Sequence, residues 1–180
     1  MNFREQFIFM KSIIVATKKF GTKEILVDDE DYDLLNSMKW FIVKAPRNFY
    51  AHTWKWNTKT KQNDIRSMHR IILGATDSDT LVDHKDHNGL NNQRSNLRKC
   101  SKLENCRNRR ANINTTSKYI GVSFKKTDKR YKKLGYWYAQ ININGKRKGI
   151  GRYDIEEDAA RAYDSFSKLH YGEFANLNFK

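Results

Sequence analysis

From Trp137 to Tyr153 two stretches, WYAQININ and KRKGIGRY, meet at Asn144-Gly145. This dipeptide suits a type I′ turn, whose central residues both take positive φ, so the two stretches form an antiparallel hairpin. Strand alternation in the first sends Trp137, Ala139, Ile141 and Ile143 to one side and Tyr138, Gln140, Asn142 and Asn144 to the other. YIGVSF, from Tyr119, supplies a third strand. The result is a three-stranded antiparallel sheet with one apolar and one polar face. Asp154 with Glu157 reads as a capping box that opens a helix to about Tyr171, closed by Gly172. Ile155, Ala159, Ala162, Tyr163 and Phe166 share one stripe of that helix, and the alanines let it pack close against the sheet.

Charge is segregated on the same segment. Lys118 to Arg152 hold 11 basic residues against the single Asp128, whereas Asp154 to Lys180 hold 3 against 6 acidic ones. Basic strands followed by an acidic helix suggest one face built for phosphates, and the formal net charge of +15 makes a polyanion, nucleic acid first, the natural partner. The 10 Phe, 9 Tyr and 4 Trp exclude a wholly disordered basic tail. Two cysteines exclude a disulfide scaffold and a paired CxxC zinc ribbon. Phe7 to Ala16, FIFMKSIIVA, is interrupted by Lys11 and Ser12 and falls short of the roughly 20 apolar residues of a membrane span. The expectation is an intracellular, cytoplasmic protein with no membrane partner.

A length of 180 residues allows one ordinary domain or two small ones. Residues 1–68 read as short strands around one brief helix: Phe7 to Thr17, Glu24 to Val27, Trp40 to Val43, Phe49 to Trp56 and Ile65 to Met68, with Asp28 to Asp31 capping the turn DYDLLNSM. HRIILG follows at His69, then a strand LVDH, a polar loop, a strand NLRKC, and a helix whose capping box is Ser101 with Glu104. Arg107, Arg109 and Arg110 load the end of that helix, where cations suit the macrodipole and are candidates for DNA contact. Cys100 and Cys106 read as core packing. The fold class is α+β: residues 1–110 with a core at about 69–110, a polar linker at 111–117, and a sheet-and-helix module at 118–180.

Val82 to Asn108, VDHKDHNGLNNQRSNLRKCSKLENCRN, with HRIILG upstream, resembles the HNH homing endonucleases. The resemblance implies a ββα-metal nuclease module in which Asp83, His84, Asn96 and Asn105 converge on one phosphate. It casts His84 as the general base that activates water, Asp83 and Asn105 as the ligands of a divalent metal, Mg²⁺ or Mn²⁺, and Asn96 as the residue that holds the loop and orients His84. An imidazole that titrates near 6.5 suits proton transfer near neutrality, and hard oxygen donors suit those ions. Being adjacent on a strand, Asp83 and His84 splay apart unless the strand ends there. His87 reads as a loop or phosphate contact, and the role of His69 stays open.

Residues 118–179 resemble the ethylene-response-factor (ERF), or Apetala-type, DNA-binding domain through YIGV, WYAQI, GKRKGIG, YDIEEDAARAYD and YGEFANLNF. That implies double-stranded DNA as the partner, with the sheet laid in its major groove and the helix behind. The matching contact positions are Ser123, Lys125, Gln140, Asn142, Arg147 and Gly149. Ser123 and Asn142 stand where Arg is usual and Gly149 where Trp is usual, so the plant target does not carry over. Gln140 and Asn142 suit adenine, and Arg147 suits guanine or phosphate. The combined expectation is a metal-dependent DNA endonuclease, nicking as a monomer or cutting both strands as a transient dimer. The rival is a catalytically silent DNA-binding regulator.

Overall fold

The structure, a computed structural model, describes residues 10–108, 115–127 and 135–179, and within them the chain is α+β. It divides into two units, Met1–Ser101 and Lys102–Lys180. The expected linker at 111–117 lies largely outside the described residues, as do Arg109, Arg110 and the start of the strand expected from Phe7.

In the first unit β1 (Met10–Thr17) and β2 (Gly21–Asp28) form an antiparallel hairpin whose turn is closed by Thr17, its hydroxyl donating to the Gly21 carbonyl at 2.8 Å. Helix α1 (Asp29–Asn36) follows at once. The expectation that Asp28 to Asp31 cap this helix fails at Asp28, which makes no side-chain cap bond. Its carboxylate instead accepts from the Arg94 amide at 2.7 Å and the Gln93 side chain at 3.3 Å, while Asp31 takes the Arg94 guanidinium at 2.8 Å. A long-range partner outcompetes the helix end and ties a later loop to β2.

Strands β3 (Phe41–Ala45), β4 (Asn48–Asn57) and β5 (Gln62–Ser67) make a meander in the order β3-β4-β5. The last strand stops one residue short of expectation, because Met68 opens α2 (Met68–Ile72) and is fully buried there. Met68 and Ile72, one helical turn apart, anchor α2 in a core shared with Ile13, Ile25, Val27, Leu35 and Ala51. Strands β6 (Leu81–His84) and β7 (Leu97–Cys100) close the unit as an antiparallel pair.

The second unit begins with the six-residue α3 (Lys102–Arg107), on which Cys106 is exposed and not in a core; Cys100, on β7, is buried. Its sheet, in the order β10-β9-β8, comprises β8 (Val122–Lys126), β9 (Gly135–Ile143) and β10 (Lys146–Tyr153). The turn is the one the sequence demands, with φ of 50° at Asn144 and 82° at Gly145. Helix α4 (Glu156–Tyr171) is capped by Ile155, not Asp154, without a side-chain cap bond. Ile155 is 55% exposed, so it leaves the expected stripe; Ala159, Ala160, Tyr163, Ser167 and Tyr171 are the buried positions. Ala159 and Ala160, with no exposed surface, sit against Val122 and Ala139. A larger residue there would overpack the interface by about 1–3 kcal/mol. The final segment is tied down by Asn178, which accepts from the Ile120 amide at 2.7 Å and donates its own amide to Asp164 at 2.8 Å. No helix among the described residues is long and apolar enough to cross a membrane.

Candidate active site

The strand pair β6-β7 sets the site. Its register opposes Asp83 to Arg98 and His84 to Leu97, so each pair shares one face and the two pairs lie on opposite faces. Arg98 donates to Asp83 Oδ2 through Nη2 at 2.8 Å and Nε at 3.1 Å, in an ion pair only 9% and 11% exposed. On the other face His84 is buried. Strand β6 ends with His84, and the chain turns so that the His87 amide donates to the His84 carbonyl at 3.0 Å.

Three other segments close around the His84 ring. β4 brings Tyr50, with ring centroids 5.9 Å apart; α2 brings His69, edge-on at 5.0 Å; the loop brings the Asn92 side-chain oxygen to 3.4 Å from His84 Nε2. His69 stands where it does because its neighbours Met68 and Ile72 are anchored in the core. Arg70, next to it, donates to the Thr80 carbonyl at 2.6 Å and to the Asp77 carbonyl, clamping the segment that leads into β6.

Asn96 laces the loop after β6. Its side-chain amide donates to Asp86 Oδ1 at 2.9 Å and to the Asn91 carbonyl at 2.8 Å, and its side-chain oxygen accepts from the Asp86 amide at 3.0 Å. Its own carbonyl takes the Lys85 amide at 2.9 Å. The opposite end of the loop is fixed to β4, where Asn48 accepts from the Gly89 amide at 3.0 Å and donates to the His87 carbonyl at 2.9 Å. His87 itself sits at φ 62°, inside the loop turn. The amide beside the His84 ring is thus that of Asn92, and Asn96 acts on the loop.

In the second unit the register puts Ser123, Lys125, Gln140, Asn142, Arg147 and Gly149 on one sheet face, opposite buried Ala139 and Ile141. Tyr136 and Tyr138 share that face, and the Arg152 guanidinium lies 4.8 Å above the Tyr136 ring. A Cβ at Gly149 would come within 2.1 Å of the Tyr138 hydroxyl, so a side chain at 149 would displace the tyrosine. Arg107 lies over the Tyr171 ring at 4.9 Å, and Asn105 is exposed on α3.

An uncharacterized HNH endonuclease of Acanthamoeba polyphaga mimivirus is 38% identical over 177 residues, covering 97% of this chain and 86% of that protein. The chain belongs to the HNH endonuclease family. An ethylene-responsive transcription factor of Medicago truncatula is 30% identical over 92 residues, 50% of this HNH chain and 32% of that protein. No family model matches, and no solved structure does.

Burial governs the electrostatics of the HNH histidines. Desolvation lowers the pKa of His84, partly offset by Asn92, Asp86 and Asp83. Desolvation, aided by the positive charge His84 would carry, lowers His69 to about 3. Both imidazoles are therefore neutral near pH 7, the form that accepts a proton. Burial alone would raise Asp86, but the Asn88 amide and the side chains of Asn91 and Asn96 outweigh it and hold the carboxyl below the usual carboxylate range.

Among the described residues no group of three His, Cys, Asp or Glu side chains is placed to hold a metal. The donor pair singled out by the HNH pattern, the Asp83 carboxylate and the Asn105 amide oxygen, is chemically suited to a hard ion such as Mg²⁺ or Mn²⁺. A metal at Asp83 has to share the carboxylate with Arg98. Sequence reasoning missed Tyr50, Asn92 and Arg98. Arg98 was within reach, since pairing LVDH with LRKC end to end sets it opposite Asp83.

Proposed function

We propose that this HNH family member is a metal-dependent endonuclease that hydrolyses a DNA phosphodiester. The observation that carries the reading is His84: buried at the end of β6 and packed on three sides by Tyr50, His69 and Asn92. In this reading the ring takes the proton of the attacking water, and its packing holds it in one orientation, so little reorganisation is needed at the reacting atoms. Asn96 keeps the loop after His84 in a single shape. By the HNH pattern Asp83 and Asn105 are the oxygen donors suited to the divalent ion, which when bound would supply neutralisation of the phosphate and the departing oxygen. Arg98 keeps the Asp83 carboxylate in place and offsets its charge.

The polar sheet face of the second unit is the reader in this proposal. Gln140 and Asn142 bond base edges, Arg147 bonds guanine or phosphate, and Lys125, Arg107, Arg109 and Arg110 bond phosphates. Resemblance to the ERF pattern and the segregated basic charge support that assignment. One catalytic set acts on one strand, so a monomer nicks. A silent regulator would bind DNA with the same sheet, and the 30% identity to a transcription factor keeps that alternative in view.

The deciding experiment is cleavage of supercoiled plasmid libraries with Mg²⁺ or Mn²⁺. The full chain is expected to yield relaxed circles first, EDTA to stop the reaction, and His84→Ala to slow it about 10²–10⁴-fold under single-turnover conditions while DNA affinity holds. Wild-type rates from the His84 variant would remove the base from the mechanism. Binding without any cleavage under either metal favours the regulator.

A further inference from the structure

Strand β4 carries four ring side chains on one face: Tyr50, His52, Trp54 and Trp56. Alternate residues of a strand lie about 6.8 Å apart, twice the roughly 3.4 Å rise of stacked bases, so Trp54 and Trp56 leave room for one base between them, whereas Phe41 already fills the gap between Trp54 and His52. The inner end of this ladder is the active site itself, since Tyr50 is 5.9 Å from the His84 ring and 6.0 Å from His69. The outer end is open: Trp54 is 55% exposed, Trp56 57%, and Ile65, across from Trp54, 61%. Phe41 stacks on Trp54 at 3.9 Å and braces it from β3. An exposed apolar face of this kind marks an interaction site. Residues 41–67, which make the whole meander, hold 6 basic side chains and 1 acidic one, so the partner that fits is an anion with flat apolar faces.

We propose that the outer face of the β3-β4-β5 sheet is a stacking platform for unpaired bases of the DNA strand next to the scissile phosphate. The proposal rests on the reading of the chain as a DNA-cutting enzyme and assigns to the first unit a single-strand contact that the second unit's basic sheet does not supply. Stacking on aromatic rings tolerates any base, so this platform adds affinity for opened DNA without adding sequence preference.

The test uses the full chain in a His84→Ala background, so that nothing is cut, at high salt to suppress purely ionic binding. The probes are a thymidine oligonucleotide of about 20 nucleotides and a random-sequence duplex of the same length. Trp54→Ala with Trp56→Ala should weaken oligonucleotide binding about tenfold or more and change duplex binding less than about twofold. Trp54→Phe with Trp56→Phe should restore most of the loss, and the oligonucleotide should quench tryptophan emission of the parent. Unchanged oligonucleotide affinity, or an equal loss on duplex, overturns the platform. So does a parent dimer that the alanine substitutions turn into a monomer, since the face would then cover a second copy. Cleavage by the His84-intact chain is scored separately, so failure of the nuclease reading and failure of the platform are distinguishable.

Discussion

His84 and Asn96 are 5% and 9% exposed, whereas Asn142, Arg147 and Gly149 on the second unit's sheet stand open to solvent. Both groups are polar, and the sequence around each is rich in Asn, Lys and Arg. Beside His84 the Asn92 oxygen faces Nε2, and both ends of the Asn96 amide are bonded within the loop, which is what a buried polar group needs to avoid a cost of about 1–3 kcal/mol. On β9 and β10 the outward side chains keep their hydration until something displaces it. A withdrawn imidazole is held neutral and still; an exposed amide is free to choose its partner. The contrast separates residues suited to chemistry from residues suited to reading.

The largest effect expected from that contrast is a pH effect confined to the first unit. His69 falls to about 3 when folded against a model value of 6.5. Between those values the unfolded chain binds a proton that the folded chain refuses, so stability is fully present above about 6.5 and is lost as pH falls toward 3. The loss amounts to a few kcal/mol, with His84 and His52, both lowered by burial, acting in the same direction. Urea melts from pH 7 to 4.5 on wild type and His69→Gln check it. The variant should show a flatter dependence, and identical slopes would mean that burial does not control this histidine.

Asn96→Ala is the next largest. It removes the bonds to Asp86 and to the Asn91 carbonyl and should cost about 1–3 kcal/mol, with slower cleavage. Binding of random duplex at fixed salt should not change, because the proposed reading face belongs to the other unit. A parallel loss of duplex affinity would show that the two surfaces are not independent.

Local features were legible and convergent ones were not. The Asn144-Gly145 turn and the alternation on β9 depend on neighbours in sequence, and the structure follows both. The helix start at Asp28 is where the acidic run puts it, but its carboxylate serves a distant donor, the Arg94 amide, and not the helix end, and the second start falls one residue past Asp154, at Ile155. Asp83, His84 and Asn96 are singled out as candidates by the order of a motif. Their surroundings are not: Tyr50 reaches His84 from β4, and His69 from α2, which the packing of Met68 and Ile72 anchors. His69 carried a signal in HRIILG, but no spacing rule says that its ring meets a histidine 15 positions on.

The smallest effects expected are on the second unit's open face, and they differ in kind. Gln140 and Lys125 project from the same side of the sheet, Gln140 half-buried beside Gly149 and Lys125 exposed. An amide presents a donor and an acceptor in fixed geometry, so Gln140→Ala should cost about 1–3 kcal/mol at one base pair and little elsewhere. An ammonium presents charge alone. Lys125→Ala should therefore weaken all sequences alike, by less than the Gln140 change costs at its best site, and reduce the slope of log affinity against log salt by about one. Affinity measured on a substitution series across a selected site, at three salt concentrations, separates the two. If Gln140→Ala moves only the salt slope, or Lys125→Ala shifts base preference, the face is not oriented as its register suggests and sequence must be read in the first unit.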